Sequence, residues 1–157
     1  MNDTGALALV AVLGGFAVVF FIIAIICYVV GSYGLMKAAQ NVGVENAWLA
    51  WIPFGNVFVL GKIVKDVSIG SLKITNLPMV LLIGSIAVLV LSFIPVFGTL
   101  LSIAFVVLTY FVYYKLYRLY NDKNAVLFLV LSIVLPFLLP FFLFSFRNMT
   151  PDYSLYA

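Results

Sequence analysis

The sequence contains no histidine, one cysteine and few charged residues: its 157 residues include eight Lys or Arg and five Asp or Glu. Without histidine, Ser-His-Asp and Cys-His catalysis are excluded. One cysteine and no histidine also leave too few ligands for a zinc or iron–sulfur centre, so no cofactor or metal is expected. The net charge of +3 is too small and too scattered for a nucleic-acid-binding surface.

Apolar residues are present in large excess. They make up 66% of the chain, and charged residues make up 8%, against about 45–50% and about 25% in soluble domains. A water-soluble fold of this size could not bury so much apolar surface, which must therefore face lipid. The composition predicts an all-α integral protein of the cell membrane, with residues 1–157 forming a single membrane domain.

Long uncharged runs predict four transmembrane helices. The first run is too long for a cleaved signal peptide and follows an acidic N-terminus, so it is expected to remain as a span. Residues 77–114 would form a helix of about 57 Å against a hydrocarbon core of about 30 Å. The chain must therefore turn back, and Pro95 and Gly98 permit the turn. The predicted spans are residues 6–30, 78–94, 99–117 and 125–146.

The last predicted span contains two prolines, Pro136 and Pro140, which are four residues apart and so share one helix face. Each proline removes a backbone donor and kinks a helix. Two interpretations remain open: a bent structural helix, or a helix that acts as a hinge or lines a cavity.

The basic residues predict the orientation. With the N-terminus outside, four spans place seven of the eight basic residues in the cytoplasm and leave Arg147 outside, in agreement with the positive-inside rule. Both termini are therefore expected to be extracytoplasmic. Basic residues near the cytoplasmic surface are also candidate contacts for lipid headgroups, including those of anionic lipids. These candidates are Lys62, Lys65, Lys73, Lys115, Arg118 and Lys123.

Residues 46–61 form an apolar segment of a different kind. At about 16 residues, the segment is shorter than the roughly 17–25 needed to span a bilayer. Two helix-breaking residues interrupt it, and it holds the only two tryptophans in the chain, which are typical of the headgroup level. A helix–turn–helix is predicted, either anchored at the interface or re-entrant and lining a pathway. Its candidate functional residues are Trp48, Trp51, Pro53, Gly55 and Asn56.

A tyrosine face is predicted near the end of the third span. Tyr110, Tyr113, Tyr117 and Tyr120 fall on one side of a helix. Such a face is typical of an aromatic belt or of a seam between helices. A ligand site built from the rings is the alternative.

The residues around the tryptophans follow a recognisable order: Lys37-Ala38, Gly43, Trp48, Ala50, Ile52-Pro53, Asn56, Leu60 and Lys62-Ile63. This order resembles a group of small bacterial membrane proteins of uncharacterised function, and a similar segment precedes the catalytic part of some bacterial signal peptidases I. That group has a second Ile-Pro-x-x-Asn turn, whereas the sequence from Ile94 to Gly98 here lacks the Asn. The resemblance covers roughly residues 33–146 and is specific over residues 37–63. It implies a bacterial membrane protein of shared architecture, and it does not imply peptidase activity.

Three functions remain open. The first is a non-enzymatic accessory or regulatory partner, which binds another membrane protein or a second copy of itself. The small size and short loops of the protein favour this function. The alternative is a small oligomeric transporter or channel for a neutral or hydrophobic solute, because transport of charged solutes usually leaves an ionisable residue inside the membrane. The third is an enzyme that acts on lipid. Its only candidate catalytic acids are Glu45, Asp66 and Asp122, which are widely spaced in the sequence. The expected protein is therefore not an enzyme, and its partners are the lipid bilayer and another membrane protein.

Overall fold

The computed structural model describes residues 3–69 and 72–156, and most of this chain is helical, as expected. The α-helices of this region are α1 (Asp3–Asn41), α2 (Gly55–Val64), α3 (Leu77–Leu91), α4 (Pro95–Asn121), α5 (Ala125–Val134) and α6 (Leu139–Ser145). Short 3-10 helices cover Ala47–Trp51, Asp122–Asn124, Pro136–Leu138, Phe146–Asn148 and Tyr153–Tyr156. One small antiparallel sheet was not expected: β1 (Val67–Ile69) pairs with β2 (Leu72–Ile74), with Val67 opposite Ile74.

Two helical stretches of the described chain are long and apolar enough to cross a membrane, Leu7–Asn41 and Pro95–Val134. The expectation of long apolar helices is therefore confirmed, whereas four spans are not established. The turn predicted after the second span is present between Leu91 and Pro95. At Gly98 the carbonyl of Leu91 occupies the place of a side chain, so glycine is required for this turn.

Residues 42–64, here called hairpin 1, fold back along α1 and then return. The Val44 N–H donates to the Ala39 carbonyl (3.0 Å), next to the end of α1. Further on, the Trp51 carbonyl accepts a hydrogen bond from the Tyr28 hydroxyl (2.6 Å). Tyr28 precedes the end of α1 by about 20 Å along the helix axis. The chain therefore descends by that distance, turns at residues 52–54, and returns as α2.

Residues 125–148, here called hairpin 2, contain α5 and α6 in antiparallel arrangement. Phe128, near the start of α5, stacks on Phe142, near the end of α6, with 4.7 Å between ring centroids. α6 runs parallel to α1. A Cβ at Gly31 would lie 3.1 Å from Pro140 Cβ, and the Asn41 side chain donates to the Arg147 carbonyl (2.9 Å).

The prediction of one continuous crossing over residues 125–146 is wrong. Helix α5 ends at Val134, and Leu135 has non-helical angles (φ −129°, ψ 76°). Pro136 and Pro140 each remove a backbone donor, so they cannot continue the hydrogen-bond ladder of α5. The chain reverses at this point, and its apolar length is divided between two short helices.

The tyrosine face of α4 packs against hairpin 2. Tyr117 is buried and has edge contacts with Phe128 and Phe142, at 5.8 Å and 6.0 Å between centroids. Tyr120 stacks on Phe146 at 4.7 Å. These rings form a seam between helices, which was one of the two expected roles for this face.

The C-terminal segment, residues 149–156, brings several helix ends together. The Asp152 N–H donates to the Leu119 carbonyl (2.8 Å), and the Tyr153 hydroxyl donates to the Ile63 carbonyl (2.7 Å). Ser154 donates to the Asp152 carboxylate through its hydroxyl and its N–H, and these hydrogen bonds lower the pKa of that carboxyl. Burial raises the pKa of the Tyr153 hydroxyl. The ends of α1, α2, α4 and hairpin 2 thus lie together, and we call this the basic end.

Every basic residue whose side chain the structure describes lies at the basic end, including Arg147. The expectation that Arg147 lies opposite the other basic residues is therefore wrong, because hairpin 2 returns instead of crossing. Asp3 starts α1 at the far end of that long helix, whereas Tyr156 lies at the basic end. The described residues nearest the two termini therefore lie at opposite ends of the molecule, and the expectation that both termini lie on the same side is wrong for them. Residues 1, 2 and 157 lie outside them.

Gly34 tests the close approach of α1 and α6. A Cβ at Gly34 would lie 2.5 Å from the Phe144 Cα. We expect Gly34→Ala to separate the helices and to lower the free energy of unfolding by about 1–3 kcal/mol, measured by thermal unfolding in detergent. Gly15→Ala is the matched control, because no atom lies within 4 Å of its added Cβ. Equal stability of the two variants would contradict the close packing.

Candidate binding site

The tips of the two hairpins lie against the same part of α1 and enclose a cleft of about 120 Å³. Its walls come from α1, α2, α4 and α6, and they include Cys27, Ser32, Asn56 and Tyr113. At about 1.5 Å per residue, Ser32 and Cys27 precede Lys37 along α1 by about 8 Å and about 15 Å. The cleft therefore lies below the basic end by up to half the thickness of a bilayer core.

Neutral polar groups of the cleft lack protein partners. Ser32 is 5% exposed, and its hydroxyl has no hydrogen bond within the part of the chain that the structure describes. The same holds for the Tyr113 hydroxyl and for the Asn56 amide N–H groups. None of these atoms is shut away from the open space of the cleft. Because these groups reach open space, they can donate hydrogen bonds to a ligand or accept them from it, each with a net contribution of about 0.5–1.5 kcal/mol.

The tip of hairpin 1 is held by α1 and by its own compact turn. The Tyr28 hydroxyl binds the Trp51 carbonyl, and Trp51 Nε1 donates to the sulfur of Met36 (3.2 Å). Phe54 has a positive φ of 67°, which is uncommon for a bulky residue. At Gly55 the Leu49 carbonyl occupies the place of a side chain, so only glycine fits. This geometry aims Asn56 into the cleft.

The helix N-termini at the cleft offer few free donors. The N–H of Asn56 donates to the Ile52 carbonyl (3.1 Å). The N–H of Val57 donates to Asn56 Oδ1 (2.7 Å). In α6, Pro140 has no N–H to offer. Among the described residues, no charged side chain lines the cleft, and the Asn56 and Val57 N–H groups are occupied, so the site suits a neutral group better than an anion.

Of the five candidate residues in hairpin 1, only Asn56 reaches the cleft. Trp48 is 57% exposed on the outer surface, and Trp51 contributes its carbonyl and indole to contacts with α1. Pro53 and Gly55 instead line an apolar surface groove of about 330 Å³, next to Met79 of α3.

Sequence reasoning missed the contribution of α1 to the site. Gly31-Ser32, a small and polar pair within the long apolar run, was the available signal. The cavity-lining alternative for the proline-containing helix agrees with the position of Pro140 in the wall of the cleft.

The candidate headgroup contacts lie away from the cleft, at the basic end. Lys62 lies over the Phe58 ring, and Lys65 lies over the Tyr153 ring, with 5.5 Å and 3.9 Å to the ring centroids. Arg118 pairs with Asp122 at 2.6 Å. The remaining candidates are Lys115, which lies near Asp66 and Arg118, Lys123 in an exposed turn, and Lys73, whose side chain lies outside the described part.

The acids considered for an enzyme do not line the cleft. Asp122 forms the ion pair with Arg118, and Glu45 lines a separate surface groove with Lys62. In the described chain, Glu45, Asp66 and Asp122 belong to no group of three residues that could hold a metal ion.

Comparisons with models of protein families, with curated proteins and with solved structures found no match. A function for this chain must therefore be inferred from the chemistry of the cleft. The resemblance carried by residues 37–63 stays a prediction.

Asn56→Leu tests the polar tip of hairpin 1. The change removes the acceptor of the Val57 N–H, so we expect a loss of about 1–3 kcal/mol in stability, although the segment becomes more apolar. Thermal unfolding in detergent measures it, and Trp51 fluorescence reports any change at the tip. Ile52→Leu, an apolar exchange in the same turn, is the control. If Asn56→Leu is as stable as the parent and its fluorescence is unchanged, hairpin 1 is a passive anchor.

Proposed function

We propose that the protein crosses the membrane three times, through α1, through residues 77–94 (α3 together with the turn after it) and through α4, and that both hairpins enter the bilayer from the basic end without crossing. The basic residues support this arrangement, because all those described then lie on the cytoplasmic side. The Tyr28 hydroxyl supports it as well, because it pairs the Trp51 carbonyl at the tip of hairpin 1, and irregular backbone at membrane depth needs such partners. The N-terminus is then extracytoplasmic and the C-terminus cytoplasmic.

Within this arrangement, we propose that the protein is a small transporter for a neutral solute, which it binds in the cleft. The observation that carries the proposal is the set of unpartnered neutral polar groups, including the Ser32 hydroxyl, where two interrupted hairpins meet. Transporters commonly bind solutes near the bilayer midplane between discontinuous helices. An apolar cavity of about 150 Å³ holds benzene, so the cleft has room for a polar group of similar or smaller size.

A second candidate is an accessory protein of another membrane protein. The observation that favours it is the N-terminal half of α1, whose apolar side chains are exposed on all faces, from Leu7 to Ile26. Such a helix can pack against a helix of another protein as well as against lipid. The cleft, however, has no evident use in a purely accessory role, so transport accounts for more of the structure.

The topology can be tested with single cysteines in a Cys27→Ala background. An impermeant thiol reagent applied to whole cells should label a cysteine at Phe93, in the exposed turn between α3 and α4. It should not label cysteines at Ser154 or Asn124 until the cells are permeabilised. Labelling of Ser154 in intact cells, with Asn124 still protected, would restore the four-span arrangement.

The transport proposal can be tested with purified protein in vesicles. We expect uptake of a small neutral polyol, glycerol, to exceed that of protein-free vesicles. Ser32→Ala should lower uptake by about 2- to 10-fold, since a neutral hydrogen bond contributes about 0.5–1.5 kcal/mol. Ser92→Ala is the matched control, because Ser92 lies at the end of α3, away from the cleft. Uptake equal to that of protein-free vesicles would contradict transport of this solute.

A further inference from the structure

An apolar groove of about 390 Å³ adjoins the cleft on the outer surface of α1 and hairpin 2. Its walls are Ile23, Ile26, Cys27, Phe137, Leu138 and Phe141. Four of these side chains are about half exposed: Ile23, Ile26, Phe137 and Phe141. In the proposed arrangement they face the hydrocarbon of the bilayer. A lipid chain could therefore lie in this groove without leaving an apolar environment.

The groove and the polar cleft adjoin at Cys27, which lines both. A molecule with its polar group near Ser32 and Asn56 would pass Cys27 and reach the groove. The cleft supplies hydroxyl and amide groups, whereas none of the lysines and arginines with described side chains lines either space. A carboxylate or phosphate would be left there without a counter-ion, at a high desolvation cost.

We propose that the ligand is a neutral membrane amphiphile with a hydroxyl-bearing head and a single hydrocarbon chain, of the monoacylglycerol type. The head binds in the cleft and the chain lies in the groove, so the ligand enters sideways from the bilayer. This proposal rests on the proposed function, since it specifies the class of solute bound at the same cleft.

Cys27 is the only cysteine of the chain and reports on both spaces. The experiment measures the rate of its alkylation by N-ethylmaleimide in full-length protein held in phosphatidylcholine nanodiscs. Mono-oleoylglycerol, at about four times its dissociation constant, should slow alkylation about fivefold, because the rate follows the unoccupied fraction. Glycerol and oleate at the same concentration should protect much less, since the first lacks the chain and the second has a charged head.

Two tryptophan variants on α1 separate the groove from general effects. Ile26→Trp fills the groove and should remove the protection by mono-oleoylglycerol. Ile25→Trp is the matched control and should retain it, because Ile25 and Ile26 are 48% and 52% exposed, but only Ile26 lines the groove. Both variants must first show the thermal stability of the parent. Ser32→Ala should weaken the protection through loss of the head contact.

The outcomes distinguish this inference from the proposed function. Equal protection by glycerol and mono-oleoylglycerol would overturn the amphiphile and leave a small neutral solute as the ligand of the cleft. Equal protection by oleate would overturn the neutral head. If none of the three compounds slows alkylation and Ser32→Ala transports like the parent, both the inference and the proposed function fail.

Discussion

The need to satisfy backbone polar groups away from water governs this structure. Each hairpin tip interrupts its helical hydrogen bonds, and an unpaired backbone group in hydrocarbon costs several kcal/mol. Helix α1 contacts both hairpins. Its Tyr28 hydroxyl binds the exposed Trp51 carbonyl of hairpin 1, and Gly31 and Gly34 let the backbone of hairpin 2 approach closely. Both tips therefore depend on a few turns of one helix.

This dependence divides α1 into two parts with different roles. From Cys27 to Asn41 the helix is packed by both hairpins, and most of the buried core lies towards the basic end. Before Cys27 it makes no comparable contact and presents apolar side chains on all faces. Helices in lipid associate through close packing and not through exclusion of water. We therefore expect the most rigid part of the molecule to be where small residues let the helices contact each other.

Composition and long uncharged runs were sufficient to predict a mostly helical chain with long apolar helices, the turn at Pro95 and Gly98, and the helix–turn–helix over residues 46–61. They were insufficient to predict the chain reversal in hairpin 2. Hydropathy shows that residues 125–146 are apolar over a certain length, but it does not show whether the chain crosses or turns back. Arg147 was misplaced for the same reason. The cleft required the fold itself: Ser32, Asn56 and Tyr113 are far apart in sequence, and nothing local marks them as neighbours. Asn56 was identified because a polar residue beside Pro53 and Gly55 is unusual in an apolar segment, and Tyr113 was identified only as part of the tyrosine face.

The return of hairpin 2 to the basic end has a consequence for biosynthesis. In the proposed three-span arrangement, none of the described residues after α4 has to be carried across the membrane. The final hairpin can enter the bilayer from the side on which the ribosome releases it, after α1, α3 and α4 are in place. Leu139, Pro140 and Leu143 of α6 line the cleft, so a nascent chain that stops after α4 lacks this wall of the cleft.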